Sequence, residues 1–152
     1  MNNPNVVKSQ SPKKGDIKAL EKRWGTRVWA IGFTGVPSLL IRGQRRLGLS
    51  PVQLNVLLQL LDHWQKRGNM PLPSKKTIAE RMGMTPRYIQ QIIKELEGAG
   101  FVARKFRKTS VGDWNTNVYD LGGLVRKLQE LEPEFTKELK GPGRGEASRI
   151  GE

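Results

Sequence analysis

Residues 74–107 read Ser-Lys-Lys-Thr-Ile-Ala-Glu-Arg-Met-Gly-Met-Thr-Pro-Arg-Tyr-Ile-Gln-Gln-Ile-Ile-Lys-Glu-Leu-Glu-Gly-Ala-Gly-Phe-Val-Ala-Arg-Lys-Phe-Arg. Two helices, each with its own start signal, and a basic strand are written there. Ser74 is placed to cap a helix carrying Ile78, Ala79 and Met82 on one face, and Gly83 can take the left-handed backbone that closes it. Thr85 caps again two residues later. Pro86 suits the first helical position, because the N–H it lacks would be unpaired there. This second helix runs to about Ala99 and must leave the first at a steep angle.

In the second helix Ile89, Ile92, Ile93 and Leu96 recur at three- and four-residue spacing, a single apolar stripe that has to face a core. Arg87, Gln91 and Lys94 lie farthest from it on a 3.6-residue wheel, with Tyr88 and Gln90 on its flanks. These are residue types that read base edges, Arg on guanine and Gln on adenine, while Tyr and Lys more often hold phosphate. Gly98 and Gly100 stop the helix. Residues 101–107 then alternate as a strand, Ser110 and Gly112 mark a turn, and Trp114 to Tyr119 can return as its partner. Arg104, Lys105, Arg107 and Lys108 place four cations on this hairpin with no acid among residues 101–112. The expected fold class is mainly α with a small β-hairpin wing, a winged helix-turn-helix, extended by an N-terminal strand/helix and a C-terminal amphipathic helix.

Charge points to the partner. The chain has 152 residues, 27 Lys and Arg against 14 acids, and a formal net charge of +13. Residues 1–50 hold ten cations and two acids, residues 74–108 nine and three, and residues 120–152 six and seven. The cationic surface is therefore expected on the N-terminal arm and the helix-turn-helix, where a polyanion would bind. No cysteine is present, so disulfides, thiolate metal sites and thiol nucleophiles are excluded. No run of 18 apolar residues occurs, the first 15 residues are too polar for a signal peptide, and no helix pairs a cationic face with a large exposed apolar one. The expected location is the cytoplasm or nucleoid of a bacterium, with no membrane association.

Three domains are expected: a disordered basic arm over 1–15, the DNA-binding domain over 16–140, and a disordered tail over 141–152. Within the second, the alternation of Trp29, Ile31 and Phe33 suggests a short strand. Pro37 opens a helix through about Arg46, and Ser50-Pro51 opens a central helix to Arg67 whose apolar arc includes Leu54, Leu57, Leu58, Leu60, Leu61 and Trp64. Asp62 and Lys66, four apart, can pair. His63 is the only histidine and reads as structural. Asp120 caps a last helix with Leu121, Leu124, Val125, Leu128 and Leu131 at helical spacing up to Pro133. That stripe has two uses: packing on its own domain, or a homodimer through residues 121–132.

Leu-Gly-Leu-Ser-Pro-Val-Gln-Leu-Asn-Val-Leu-Leu at 47–58, Pro-Ser-Lys-Lys-Thr-Ile-Ala-Glu-Arg-Met-Gly at 73–83 and Asn-Val-Tyr-Asp-Leu at 117–121 carry a family resemblance. The stretch from about Trp24 to Leu124 resembles the helix-turn-helix domains at the N-termini of plasmid and phage replication-associated proteins and related regulators of mobile elements. The resemblance implies a winged-helix fold and double-stranded DNA as ligand. By position it also implies that Lys75, Lys76 and Thr77 meet phosphate and that Thr85, Arg87, Tyr88 and Gln91 read bases.

The expected function is sequence-specific binding of double-stranded DNA in transcriptional or replication control. Ser74 to Thr77 would set register on phosphate, Thr85, Arg87, Tyr88, Gln91 and Lys94 would meet bases, and Arg104, Lys105, Arg107 and Lys108 would grip the backbone. The alternative is a protein-interaction adaptor of a replication or secretion machinery, using the fold as a docking module. Single-stranded nucleic acid is a third ligand, with Trp114 and Tyr119 as stacking residues. No enzyme is expected. One histidine cannot make the paired site of a metal-dependent nicking initiator, neither Tyr88 nor Tyr119 has a basic set at recombinase spacing, and no phosphate-binding glycine loop occurs. Catalytic residues, metal sites and cofactors are all expected to be none.

Overall fold

The computed structural model describes residues 13–64, 73–107 and 116–141. Along them run α1 (Lys14–Trp24), α2 (Thr26–Ile31), α3 (Ser38–Arg42), α4 (Pro51–His63), α5 (Lys75–Met82), α6 (Pro86–Gly98), β1 (Ala103–Arg107), β2 (Thr116–Asp120) and α7 (Gly122–Lys140). Two compact units form: residues 34–134 make one, and residues 13–33 with 135–141 make the other. Residues 1–12 of the arm expected over 1–15 lie outside the described residues, whereas Lys13 to Gly15 form the N-cap and start of α1. Residues 65–72, with the expected end of the central helix, residues 108–115, with the expected turn, and residues 142–152 of the tail expected over 141–152 also lie outside them.

The larger unit is built on α4. Ser50 caps it, accepting from the Gln53 N–H while the Gln53 side chain accepts from the Ser50 N–H, with Pro51 in the first turn. Val56, Leu57, Leu60 and Leu61 are buried, Leu54 and Leu58 partly so, and the helix ends at His63, whose Nδ1–H donates to the Gln59 carbonyl. Trp64, expected in the apolar arc, is 40% exposed. Lys66, the expected partner of Asp62, lies outside the described residues. Asp62 accepts from Thr34 Oγ1 at 2.6 Å and Arg81 at 3.3 Å.

The two motif helices start and stop where their caps place them. Ser74 accepts from the Thr77 N–H at 3.0 Å, Thr85 from the Tyr88 N–H at 3.2 Å, and Gly83 takes φ 64, ψ 35 between them. Ile89, Ile92, Ile93 and Leu96 are all buried, each burial being worth about 1.5–3 kcal/mol. The hairpin pairs antiparallel, Arg104 opposite Tyr119 and Lys105 opposite Val118. Tyr119 is fully buried, so it packs the core and offers no stacking face, while Trp114 lies outside the described residues.

After β2 the Asp120 carboxylate accepts from the Gly122 N–H at 2.8 Å and α7 starts against the turn that leaves α6. The Leu124 N–H donates to the Phe101 carbonyl at 2.9 Å, and Lys127 Nζ lies 4.9 Å over the Phe101 ring. This approach is so close that a Cβ on Gly123 would run into the Gly100 carbonyl. Leu121 and Leu124 join the core and Leu128 packs on it, so most of the stripe serves its own domain.

Four further expectations need correction. The strand through Trp29, Ile31 and Phe33 is the helix α2, six residues bracketed by Gly25 and Gly32, both at positive φ. Period-two alternation needs a neighbouring strand to matter, and the one sheet among the described residues is the β1–β2 pair. Trp29 instead stacks on Phe33, four residues on, at 5.0 Å. The helix from Pro37 shortens to Ser38–Arg42, after which turns lead to Gly48 at φ +70. α7 continues through Pro133 to Lys140, since the proline and Gln129, whose carbonyl loses its partner, are both exposed to water. Finally, α1 buries nothing, and the α1–α2 segment exposes Ile17, Trp24, Val28, Ile31 and Phe33 beside Lys14, Lys18, Lys22, Arg23 and Arg27, a cationic and apolar combination not expected from the sequence. No helix of the described residues is long and apolar enough to cross a membrane.

Candidate nucleic-acid interface

The side of α6 opposite its buried stripe carries Arg87, Gln91 and Lys94, with Tyr88 on the flank, all four exposed. The stripe produces this sidedness: with four residues held in the core, the helix cannot roll, and its polar face points outward by default. Thr85 sits at the start of this face, but its hydroxyl oxygen serves the cap.

The start of α5 is similarly occupied. Ser74 Oγ takes the Thr77 N–H, and the Ser74 and Thr77 hydroxyls lie 2.7 Å apart. What remains there for an anion is the first-turn N–H groups and the side chains of Lys75 and exposed Lys76. Lys75 is partly buried and its pKa is pulled below the usual lysine value, first by desolvation and then by the charges of Arg104 and Lys94. Cations from α5, α6 and β1 therefore crowd one neighbourhood, a disposition that an arriving anion would relieve.

Acids thread this surface, and here sequence reasoning saw less. Arg104, expected on phosphate, is held by Glu97 through Nε and Nη2 at 3.1 and 3.4 Å. Lys105 meets Asp120 at 2.8 Å. Gln91 donates to Glu95 at 3.3 Å, and Gln53 of α4 donates to the same carboxylate at 2.9 Å. Only the Gln91–Glu95 contact had a local signal, its four-residue spacing. The Arg107 side chain and all of Lys108 lie outside the described residues.

Asp120 is a test of the hairpin's electrostatics. Lys105, then the Gly122 N–H, hold its carboxyl below the usual aspartate range. A depressed carboxylate pKa contributes stability that is present above the unfolded value, about 3.9, and lost as pH falls through the folded one. Acid titration by circular dichroism should thus show stability declining below about pH 4, and Asp120→Asn should flatten that decline while costing about 0.5–1 kcal/mol at neutral pH. An unchanged acid limb in the variant would remove the Lys105–Asp120 pair from the account.

Two capped helices joined through Gly83, the second bearing one buried and one polar face, and a following antiparallel hairpin are now in place. The fold is a winged helix-turn-helix. Residues 47–102 match the helix-turn-helix domain family. The winged fold is also similar to the crystal structure of the N-terminal domain of DnaD protein from Geobacillus kaustophilus HTA426, with a TM-score of 0.54 and 23% identity over 84% of this chain and 97% of that one. A structure of disulfide-formed AbfR aligns at a TM-score of 0.42 and 16% identity, over 85% of this chain and 77% of that one. No curated protein matches the chain.

Proposed function

We propose that this chain is a double-stranded DNA-binding protein that lays α6 in the major groove. The observation that carries the reading is the division of α6, with Ile89, Ile92, Ile93 and Leu96 buried, Arg87, Gln91 and Lys94 exposed on the other side and Tyr88 exposed on the flank. Lys75 and Lys76 at the start of α5 take phosphate, and the wing cations Arg104, Lys105, Arg107 and Lys108 reach the flanking backbone once Arg104 and Lys105 exchange their carboxylate partners for it. The binding domain spans residues 16–140, and its role is control of transcription or replication on a plasmid or phage, in the bacterial cytoplasm, without catalysis or cofactor. The helix-turn-helix match over 47–102 supports the DNA ligand. Because Leu121, Leu124 and Leu128 already face the domain core, a homodimer through residues 121–132 has Val125 and the exposed polar flank left to use.

Titration of a labelled mixed-sequence duplex tests this. With about five phosphates neutralised, log affinity should fall with log salt at a slope on the order of −4, so raising salt fourfold weakens binding by roughly two orders of magnitude. Arg87→Ala should cost about 1–3 kcal/mol on a selected site and relax one base preference, whereas Lys76→Ala should weaken all sequences alike. A flat salt response sinks the proposal.

The adaptor reading has one observation in its favour, the exposed Trp24, Val28, Ile31 and Phe33. It predicts no saturable binding of duplex in the same titration.

A further inference from the structure

Glu95 stands on the polar face of α6, one turn beyond Gln91, where a base-reading helix gains nothing from an anion facing phosphates. Its contacts give it a different use. The Ser50 N–H donates to Gln53 Oε1 at 3.0 Å, Gln53 Nε2 donates to Glu95 Oε2 at 2.9 Å, and Gln91 Nε2 donates to Glu95 Oε1 at 3.3 Å. The direction of every link is set by chemistry. A backbone N–H can only donate, so the Gln53 amide must turn its oxygen to Ser50 and its NH2 to Glu95. A carboxylate can only accept, so Gln91 must also present its NH2 to Glu95.

We infer that Glu95, anchored by Gln53 on the capping box of α4, is a positioning residue that orients the Gln91 amide to select adenine against guanine in the major groove. The inference rests on the DNA-binding reading and deepens it. With one N–H given to Glu95, Gln91 keeps its carbonyl oxygen and one N–H, which carry no partner among the described residues. That pair complements the major-groove edge of adenine, where N6–H2 donates and N7 accepts. Guanine offers two acceptors, O6 and N7, on the same edge. An unanchored glutamine can turn both N–H groups toward them. The anchored one has a single N–H left, and its carbonyl oxygen would face O6. Arg87, one turn earlier on the same face and exposed, remains the guanine reader. A helix-surface network thus restricts a rotatable side chain before DNA arrives, which is how a supporting shell converts a contact into discrimination.

Selection of bound duplexes from a random library, run in parallel on the full chain and on Gln91→Ala, Glu95→Ala and Gln53→Ala, tests the inference. The unaltered chain should prefer adenine over guanine at one position by about tenfold or more, and Gln91→Ala should erase that preference. Glu95→Ala should admit guanine at the same position, lowering the adenine-to-guanine ratio by about fivefold or more, with preferences elsewhere unchanged. Removing the Glu95 charge also strengthens binding to every sequence, so Gln53→Ala, which leaves the charge in place, serves as the control and should shift the same ratio in the same direction by a smaller factor. A ratio unmoved in Glu95→Ala, an equal loss of base preference at every position of the site, or an unchanged profile in Gln91→Ala overturns the inference while leaving DNA binding intact. If the unaltered chain retains no duplex at all, the underlying reading fails with it.

Discussion

Gly123→Ala should lower the stability of the winged unit by about 3 kcal/mol or more, bringing the thermal midpoint down by roughly 12–24 °C. The added Cβ has no rotamer by which to escape, and its obstacle is the carbonyl of Gly100, which is backbone and not the mobile end of a side chain. Relief would require moving α7 away from the turn after α6, and that breaks the Leu124 to Phe101 hydrogen bond and withdraws Leu124 from the core. Gly122→Ala is the control. Its Cβ would meet the Asp120 carboxylate and Arg126 guanidinium, both side-chain ends that can shift, so its cost should stay below about 1 kcal/mol. Thermal unfolding of the two variants side by side decides the matter, and equal midpoints would refute the close approach.

The second large effect separates the two faces of α6. Ile93 is fully buried, and Ile93→Ala should cost about 2–5 kcal/mol, the lost transfer energy plus the cavity it leaves. Arg87→Ala, on the exposed face, should change stability by no more than about 0.5 kcal/mol while carrying the loss in base preference already described. Urea denaturation gives both numbers. A stability loss in Arg87→Ala comparable to that in Ile93→Ala would mean the arginine is part of the packing, and the groove-facing assignment would fall with it.

Where the sequence was legible, the signals were local. Ser74, Gly83, Thr85 and Pro86 each act on a backbone group within three residues, so their consequences do not wait on the rest of the chain. The isoleucine stripe of α6 was readable for the same reason, a periodicity contained in one helix. The misread segment, residues 27–33, shows the limit. Alternation there is compatible with a strand, but a strand exists only if another lies beside it, and that is a fact about distant chain. Trp29 instead stacks on Phe33, which lies just beyond α2, and Gly25 and Gly32 cut the segment off from any extension. Pro133 failed as a stop because water on the exposed side of α7 can take the carbonyl that the proline leaves unpaired.

The candidate interface divides the same way. Residue types and helical phase alone placed Arg87, Gln91 and Lys94 on the outward side of α6 and Tyr88 on the flank of the stripe, because 3.6 residues per turn relates every side chain to the buried stripe. Which of the cations are already partnered, and which polar group is held in one orientation, came only with the assembled molecule. Glu97 reaches Arg104 across the turn into β1, Asp120 reaches Lys105 across the hairpin, and Gln53 reaches Glu95 from a different helix. Hydrogen bonds and ion pairs depend on separations of a few ångströms between atoms far apart along the chain, and packing sets those distances.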